Sequence, residues 1–237
     1  MPDGIQNIVV TGASSGIGRQ VVLAYAALPN CRVFAVARRV ELLDSLVVEC
    51  GTSNVIPVPL DLSVCDNAAL VSAIELHGVR HVHVVIGNAG MLLNKPFEAI
   101  EKEEWLEVYR TNVIGPALLV RDLMPFLGRE GVSHVVHISS MGGITGTAKF
   151  PGLAAYSSSK GALSVLTEVL AEEYKGSLVV FNGLALGSVA TEMLEKAFPG
   201  YQAGVSAAEM AAYVVRFGLE GWRFFRGKVL PVSNSTP

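Results

Sequence analysis

Seven short runs rich in Val and Ile recur along this 237-residue chain, and the alternation of these runs with longer amphipathic stretches restricts the fold more than any other feature. The runs are Asn7–Val10, Arg32–Ala37, Val55–Leu60, His81–Ile86, Ser133–Ile138, Leu178–Leu184 and Lys228–Val232. Most are nearly all apolar rather than alternating, which suits strands buried on both faces. Such strands form a parallel sheet whose crossovers are helices, so a doubly wound α/β fold of about seven strands is expected. Helix-compatible stretches with apolar residues three and four apart fall at Ile17–Leu28, Val40–Glu49, Asn67–Glu75, Thr111–Leu127, Leu153–Glu173 and Ala207–Phe217. No linker, repeat or charge block divides residues 1–237, so one domain is expected.

Composition removes several function classes. With 51% hydrophobic and 16% charged residues, the chain has material for a substantial core and too little charge for disorder. Its net charge of −3 lacks the basic excess of a phosphate-tracking protein, so no nucleic-acid partner is expected. Cys31, Cys50 and Cys65 form no CxxC pair and no disulfide framework, which points to a reducing cytoplasm. Met1-Pro2-Asp3-Gly4 opens no basic and apolar leader, and Asn182-Gly183 interrupts the apolar stretch Leu178–Leu186 far short of a bilayer span. Neither secretion nor membrane insertion is expected. His81 and His83 share a strand face and His134 and His137 lie close in sequence, but no carboxylate or cysteine completes a metal set.

The chemistry begins in Val9-Val10-Thr11-Gly12-Ala13-Ser14-Ser15-Gly16-Ile17-Gly18, which sets three glycines between the first strand and the first helix. Gly12 permits a tight turn, Gly16 lets backbone approach a pyrophosphate, and Gly18 lets the helix pack closely on the sheet. The helix start offers free N–H groups to phosphate charge. A turn alone needs one glycine, so three with two hydroxyls exceed that need. The segment Thr11–Gly18 resembles the cofactor loop of the short-chain dehydrogenase/reductase family, whose classical members have a Rossmann fold.

On that resemblance, Ser14, Ser15 and Ile17 join the glycines at the cofactor. At the end of the second strand, where an NAD enzyme presents a carboxylate to the ribose, stands small Ala37, followed by Arg38 and Arg39. A guanidinium grips a 2′-phosphate through several donors, so NADP is expected over NAD. Asp61-Leu62 and Asn88-Ala89-Gly90 close the third and fourth strands, where ligands bind in such sheets. The resemblance makes them the adenine contact and the segment beside the cofactor ribose; helix capping by Asp61 and plain turn chemistry at Asn88 are the alternatives.

Tyr156 and Lys160 are four residues apart, which places both on one helix face. A unit charge about 4 Å from the phenol, at an effective dielectric of about 20, favours the phenolate by about 4 kcal/mol before desolvation, which would bring it toward working pH. The family pattern adds Ser139 at the end of the fifth strand, favoured over adjacent Ser140, and Asn112 as an amide holding a water behind the lysine. Asn112, Ser139, Tyr156 and Lys160 are thus carried over together. The implied reaction is hydride transfer between a nicotinamide and a carbonyl or secondary alcohol, such as an aldehyde, ketone or oxoacyl compound, with Tyr156 as general acid and base. An NAD-linked alcohol dehydrogenase and a non-catalytic NADP-binding sensor are the rival readings.

The pattern departs after the sixth strand, where Leu186 replaces the family's proline, although Gly187, Val189 and Thr191 match the segment that meets the nicotinamide carboxamide. Glu192–Val205 is short for a substrate lid. Met141, Phe150, Leu153, Met193 and Phe198 line an apolar pocket or simply fill the core. The ending Val229–Pro237 lacks the Asp-Gly-Gly of many relatives, which argues against a fatty-acid-synthesis reductase. Relatives pair through the two long helices at Thr111–Leu127 and Leu153–Glu173, so a homodimer or homotetramer is expected.

Overall fold

The computed structural model describes residues 4–233, so the calls on the first three residues and on 234–237 lie outside it. Strand and helix alternate as the patterning requires: β1 (Gln6–Thr11), α1 (Gly16–Ala26), β2 (Cys31–Ala37), α2 (Val40–Cys50), β3 (Val55–Pro59), α3 (Ala68–Leu76) and β4 (Val84–Gly87). Then come α4 (Lys102–Tyr109), α5 (Gly115–Leu123), β5 (Ser133–Ser140), α6 (Ala154–Glu173), β6 (Val179–Leu186), α7 (Glu192–Ala197), α8 (Ala207–Glu220) and β7 (Val229–Val232). The strands form one parallel sheet in the order β3-β2-β1-β4-β5-β6-β7. Strand order reverses direction between β1 and β4, and a crevice opens there at the carboxyl ends of the strands.

Strand alternation divides the core. Ile8 and Val10 pack with Val21, Val22 and Tyr25 of α1 and with Val214 of α8. Val9 faces the opposite layer with Leu119 and Leu123 of α5, Val135 of β5 and Phe181 of β6. Each such aliphatic or aromatic side chain removed from water contributes about 1.5–3 kcal/mol.

Three local features differ from the sequence expectation. The helix expected over Thr111–Leu127 begins with a π-helical turn at Arg110–Ile114, runs as α5, and ends in a 3₁₀ turn at Met124–Phe126. Two helices were not expected at all. α4 is held by reciprocal capping between Glu101 and Glu104, and α7 by Thr191, whose hydroxyl accepts from Leu194 N at 3.2 Å. Both are short and mostly exposed, so apolar periodicity gave little signal. Among the described residues no helix is long and apolar enough to cross a membrane.

Candidate active site

A cleft of about 630 Å³ opens at the carboxyl ends of the strands. Its walls include Gly12, Ser14, Ser15, Gly16, Ile17, Arg38, Arg39, Asp61, Leu62, Asn88, Ala89, Gly90, Ser139, Tyr156, Lys160, Gly187, Val189 and Thr191. The fold therefore gathers residues from six strand ends, as the sequence implied. Gly18 and Asn112 stand behind this wall.

The glycine loop is shaped by contact as well as by dihedral angle. Gly12 has φ +69°, and a Cβ there would lie 2.8 Å from Asn88 Nδ2; a Cβ on Gly18 would lie 2.3 Å from Gly12 O. Asn88 Nδ2 donates to Thr11 O at 3.0 Å, and Ala89 N to Thr11 Oγ1 at 3.0 Å, so the ends of β4 and β1 are tied together. At the start of α1, Ser15 makes no side-chain cap and the first turn holds no acidic residue. Those amides and the helix dipole remain directed at an anion.

Arg39 closes over this loop, donating from Nη2 to Ser15 Oγ at 2.7 Å and Ser14 Oγ at 3.1 Å. Arg38 is well exposed, with Nη1 3.6 Å from Asp61 Oδ2. Asp61 takes the capping role: Oδ1 accepts from Ser63 N at 2.9 Å and caps the following turn, while Oδ2 faces Arg38 on the cleft wall. Burial opposes ionisation of Asp61, but the Ser63 bonds and the Arg38 charge outweigh it and hold the carboxyl below its ordinary value.

The expectation for Ser139 needs correction. Its Oγ is buried against α6, 2.9 Å from Lys160 O and 2.8 Å from Ser164 Oγ. Consecutive strand residues face opposite sides, so Ser140 points into the cleft instead. The Ser140 hydroxyl stands near enough to the Tyr156 phenol to favour its ionised form.

The phenol's acidity also departs from expectation. Burial raises the Tyr156 pKa above 10, and Ser140 offsets this only in part. Lys160 does not overcome it: Nζ donates to Ile138 O at 2.8 Å and lies 5.9 Å from the centroid of the Tyr156 ring. Burial lowers the pKa of Lys160 itself to about 8. The 4 Å contact assumed from sequence spacing is replaced by a lysine bonded to the strand behind the ring.

Asn112 is fully buried in the π-helical turn. Its Oδ1 accepts from Met91 N at 2.7 Å, and its Nδ2 donates to Met91 O at 2.9 Å and Ser159 Oγ at 2.9 Å. Both amide hydrogens are thus used by protein partners, while Oδ1 keeps a second acceptor lone pair. Gly90 separates it from the lysine, since a Cβ there would lie 3.3 Å from Lys160 Nζ and 3.4 Å from Asn112 Oδ1.

At the far wall, Leu186 is an integral strand residue paired with Ser140 and Val232, so ladder pairing supplies the order that proline would have imposed. Met141, Phe150, Leu153, Met193 and Phe198 all line the cleft. Sequence reasoning missed Ser140, Asn94, Ser188 and Tyr201, which also line it.

A family model described as short chain dehydrogenase matches residues 6–202. An oxidoreductase of Botryotinia fuckeliana is 33% identical over 186 residues, covering 77% of this chain and 65% of that protein. A fatty acyl-CoA reductase of Mycobacterium tuberculosis is 33% identical over 220 residues, covering 89% of this chain and 72% of that protein. The first of these relatives thus extends well beyond the matched region. A short chain dehydrogenase of Shigella flexneri 2a, solved in complex with NADP, has 26% identity and a TM-score of 0.86, over 96% of this chain and 97% of that one. The chain belongs to the short chain dehydrogenase family.

Proposed function

We propose that the protein reduces an uncharged, largely apolar aldehyde, ketone or oxoacyl compound with NADPH. The observation that carries this reading is the meeting of Ser140, Tyr156 and Lys160 in the same cleft as the glycine loop and Arg38. The residues fit the cofactor: positive-φ glycines at Gly12 and Gly16 and the uncapped start of α1 suit a pyrophosphate. Arg38 and Arg39, beside small Ala37, suit a 2′-phosphate. The NADP complex of the Shigella flexneri relative agrees with this choice.

Bound NADPH supplies the hydride. Tyr156, whose phenol stays protonated at neutral pH, delivers its proton to the substrate oxygen. Ser140 donates a hydrogen bond to the same oxygen as charge develops there. Lys160, with a pKa of about 8, carries a charge at pH 7 that stabilises the phenolate left behind. On the substrate side the cations and anions are paired, Lys196 with Glu192 and Arg39 with Glu192, while Phe150, Leu153, Met193 and Phe198 present apolar surface. That wall suits a substrate without a carboxylate or phosphate near its carbonyl.

Cofactor choice tests the reading first. Arg38→Ala should weaken NADPH binding by about tenfold or more and NADH binding by less than about twofold, since a charged hydrogen bond is worth about 1.5–3 kcal/mol. Fluorescence titration with each cofactor checks it; equal losses would remove Arg38 from the 2′-phosphate site.

Self-association is proposed as well, through Leu106 of α4, Ile114 of the π-helical turn, and Val165 and Val169 of α6, all of them exposed. Light scattering should give a multiple of the 25.1 kDa chain mass, reduced by the double change Val165→Asp and Val169→Asp. A monomer mass for the unchanged protein would overturn this. Cys31, Cys50 and Cys65 are all unpaired thiols, which suits a reducing compartment such as the cytoplasm.

A further inference from the structure

The substrate side of the cleft is closed by a short helix with little of its own to hold it. α7 spans Glu192–Ala197, and none of its residues is fully buried. Its amino end is fastened by the Thr191 cap, and Arg39 lies 3.8 Å from Glu192. Its carboxyl end carries carbonyls that no helical N–H can reach. One of these, Ala197 O, accepts from Asn94 Nδ2 at 2.7 Å across the cleft, from a residue 103 positions earlier.

The residue after Asn94 is held by both its backbone and its side chain. Lys95 N donates to Gly152 O at 2.9 Å, and Lys95 Nζ bonds Glu104 of α4 at 2.7 Å. Gly152 has φ +86°, and a Cβ there would lie 2.0 Å from Asn94 Oδ1, so glycine is what leaves room for the amide. Two residues before it, Phe150 meets Phe198 edge to face at 6.2 Å, just beyond the carbonyl that Asn94 holds. Three chain segments distant in sequence therefore converge on one amide.

We infer that Asn94 is a positioning residue for substrate selection. Its bond to Ala197 O fixes the end of α7 and hence the Phe198 ring against Phe150, setting the width of the substrate side. Asn94 acts through α7 and not on the reacting atoms. The role in selectivity rests on the reductase reading; the mechanical role does not.

Two measurements separate them. Hydrogen exchange followed by mass spectrometry, on the full chain with NADPH present, reads the latch directly. Asn94→Ala and the near-isosteric Asn94→Asp, which cannot donate to Ala197 O when ionised, should both speed exchange across residues 192–201 by about fivefold, with β4 and β5 unaffected. Gly152→Ala should do the same by displacing the amide. In the Asn94→Ala background its added effect should shrink, because the clash is gone and only the strain at positive φ remains.

The second readout is NADPH-dependent reduction of acetaldehyde and of 1-naphthaldehyde. In Asn94→Ala the ratio of kcat/KM for the bulky over the small probe should rise about three- to tenfold, through KM rather than kcat. Unchanged exchange over 192–201 in both Asn94 variants overturns the latch. Faster exchange with an unchanged probe ratio overturns its role in selection. Faster exchange with no turnover of either aldehyde by the unchanged protein defeats the carbonyl-reductase reading for these probes and removes the selection role with it, while the mechanical latch stands.

Discussion

Tyr156→Phe should lower kcat by about two to four orders of magnitude, the range for loss of a positioned general acid, while NADPH affinity changes by less than about threefold. The ring remains to pack in the cleft and only the proton donor is lost, so the fall belongs to chemistry and not to folding. The two serines supply the internal contrast. Ser140→Ala removes the hydroxyl beside the phenol and should cost about 100-fold or more in kcat, as loss of one oxyanion donor does. Ser139→Ala deletes a buried hydroxyl that bonds Lys160 O and Ser164 Oγ, but Ser164 keeps its bond to Lys160 O, so the change should cost about 1 kcal/mol of stability with a far smaller effect on kcat. Single-turnover rates, fluorescence titration and urea midpoints for the three variants decide the matter. Full turnover in Tyr156→Phe would sink the catalytic assignment; a larger kcat loss in Ser139→Ala than in Ser140→Ala would restore the serine that sequence pattern favoured.

That reversal shows where sequence reading stops. Glycine spacing and strand ends are linear properties, so the Gly12–Gly18 loop, Ala37-Arg38 and Asn88-Ala89-Gly90 were legible and converge on one cleft. The face a residue presents is a matter of register, and a shift of one position exchanged Ser139 for Ser140. Helical spacing likewise put Tyr156 and Lys160 on one face but could not show that Lys160 Nζ turns to Ile138 O. A side chain of four methylenes has several places to set its charge, and a buried carbonyl competes with the phenol. Asn112 was found by pattern, but its bonds to Met91 and Ser159 depend on segments that meet only in three dimensions. The lid helix α7 was invisible for a different reason: six mostly exposed residues carry no apolar period, and the bonds that hold it come from Thr191 and Asn94.

The histidines that offered no metal set carry the second large prediction, which concerns stability. His134 and His137 are buried in β5, and His83 leads into β4. Burial lowers each pKa to about 4; the Lys160 charge adds to the effect at His137 and the His81 ring at His83, while a bond to Gly218 O opposes it at His134. Their hydrogen bonds fix the neutral form. Asn182 Nδ2 donates to His134 Nε2 at 3.0 Å, and Asn7 N donates to His83 Nδ1 at 3.1 Å, so a proton on either ring nitrogen breaks a bond. Thr167 gives its hydroxyl proton to Leu163 O, so His137 Nδ1 donates to Thr167 Oγ1, and its buried Nε2 has no partner among the described residues. In the unfolded chain these rings titrate near 6.5, so between about pH 6.5 and 4 the unfolded state binds more protons and stability falls as pH falls. Each fully buried ring contributes about 1.4 kcal/mol per pH unit in that window, about 3 kcal/mol in all, with a smaller share from half-buried His83. At pH 4.5 His134 and His137 together remove about 5 kcal/mol, a third or more of a total of about 5–15 kcal/mol. Urea midpoints at pH 7.5, 6 and 5 should therefore drop steeply, and His137→Asn should reduce the slope by about a third to a half. A flat profile from pH 7.5 to 5 would mean that these rings accept protons inside the fold, and that the bonds from Asn7 and Asn182 do not hold them neutral.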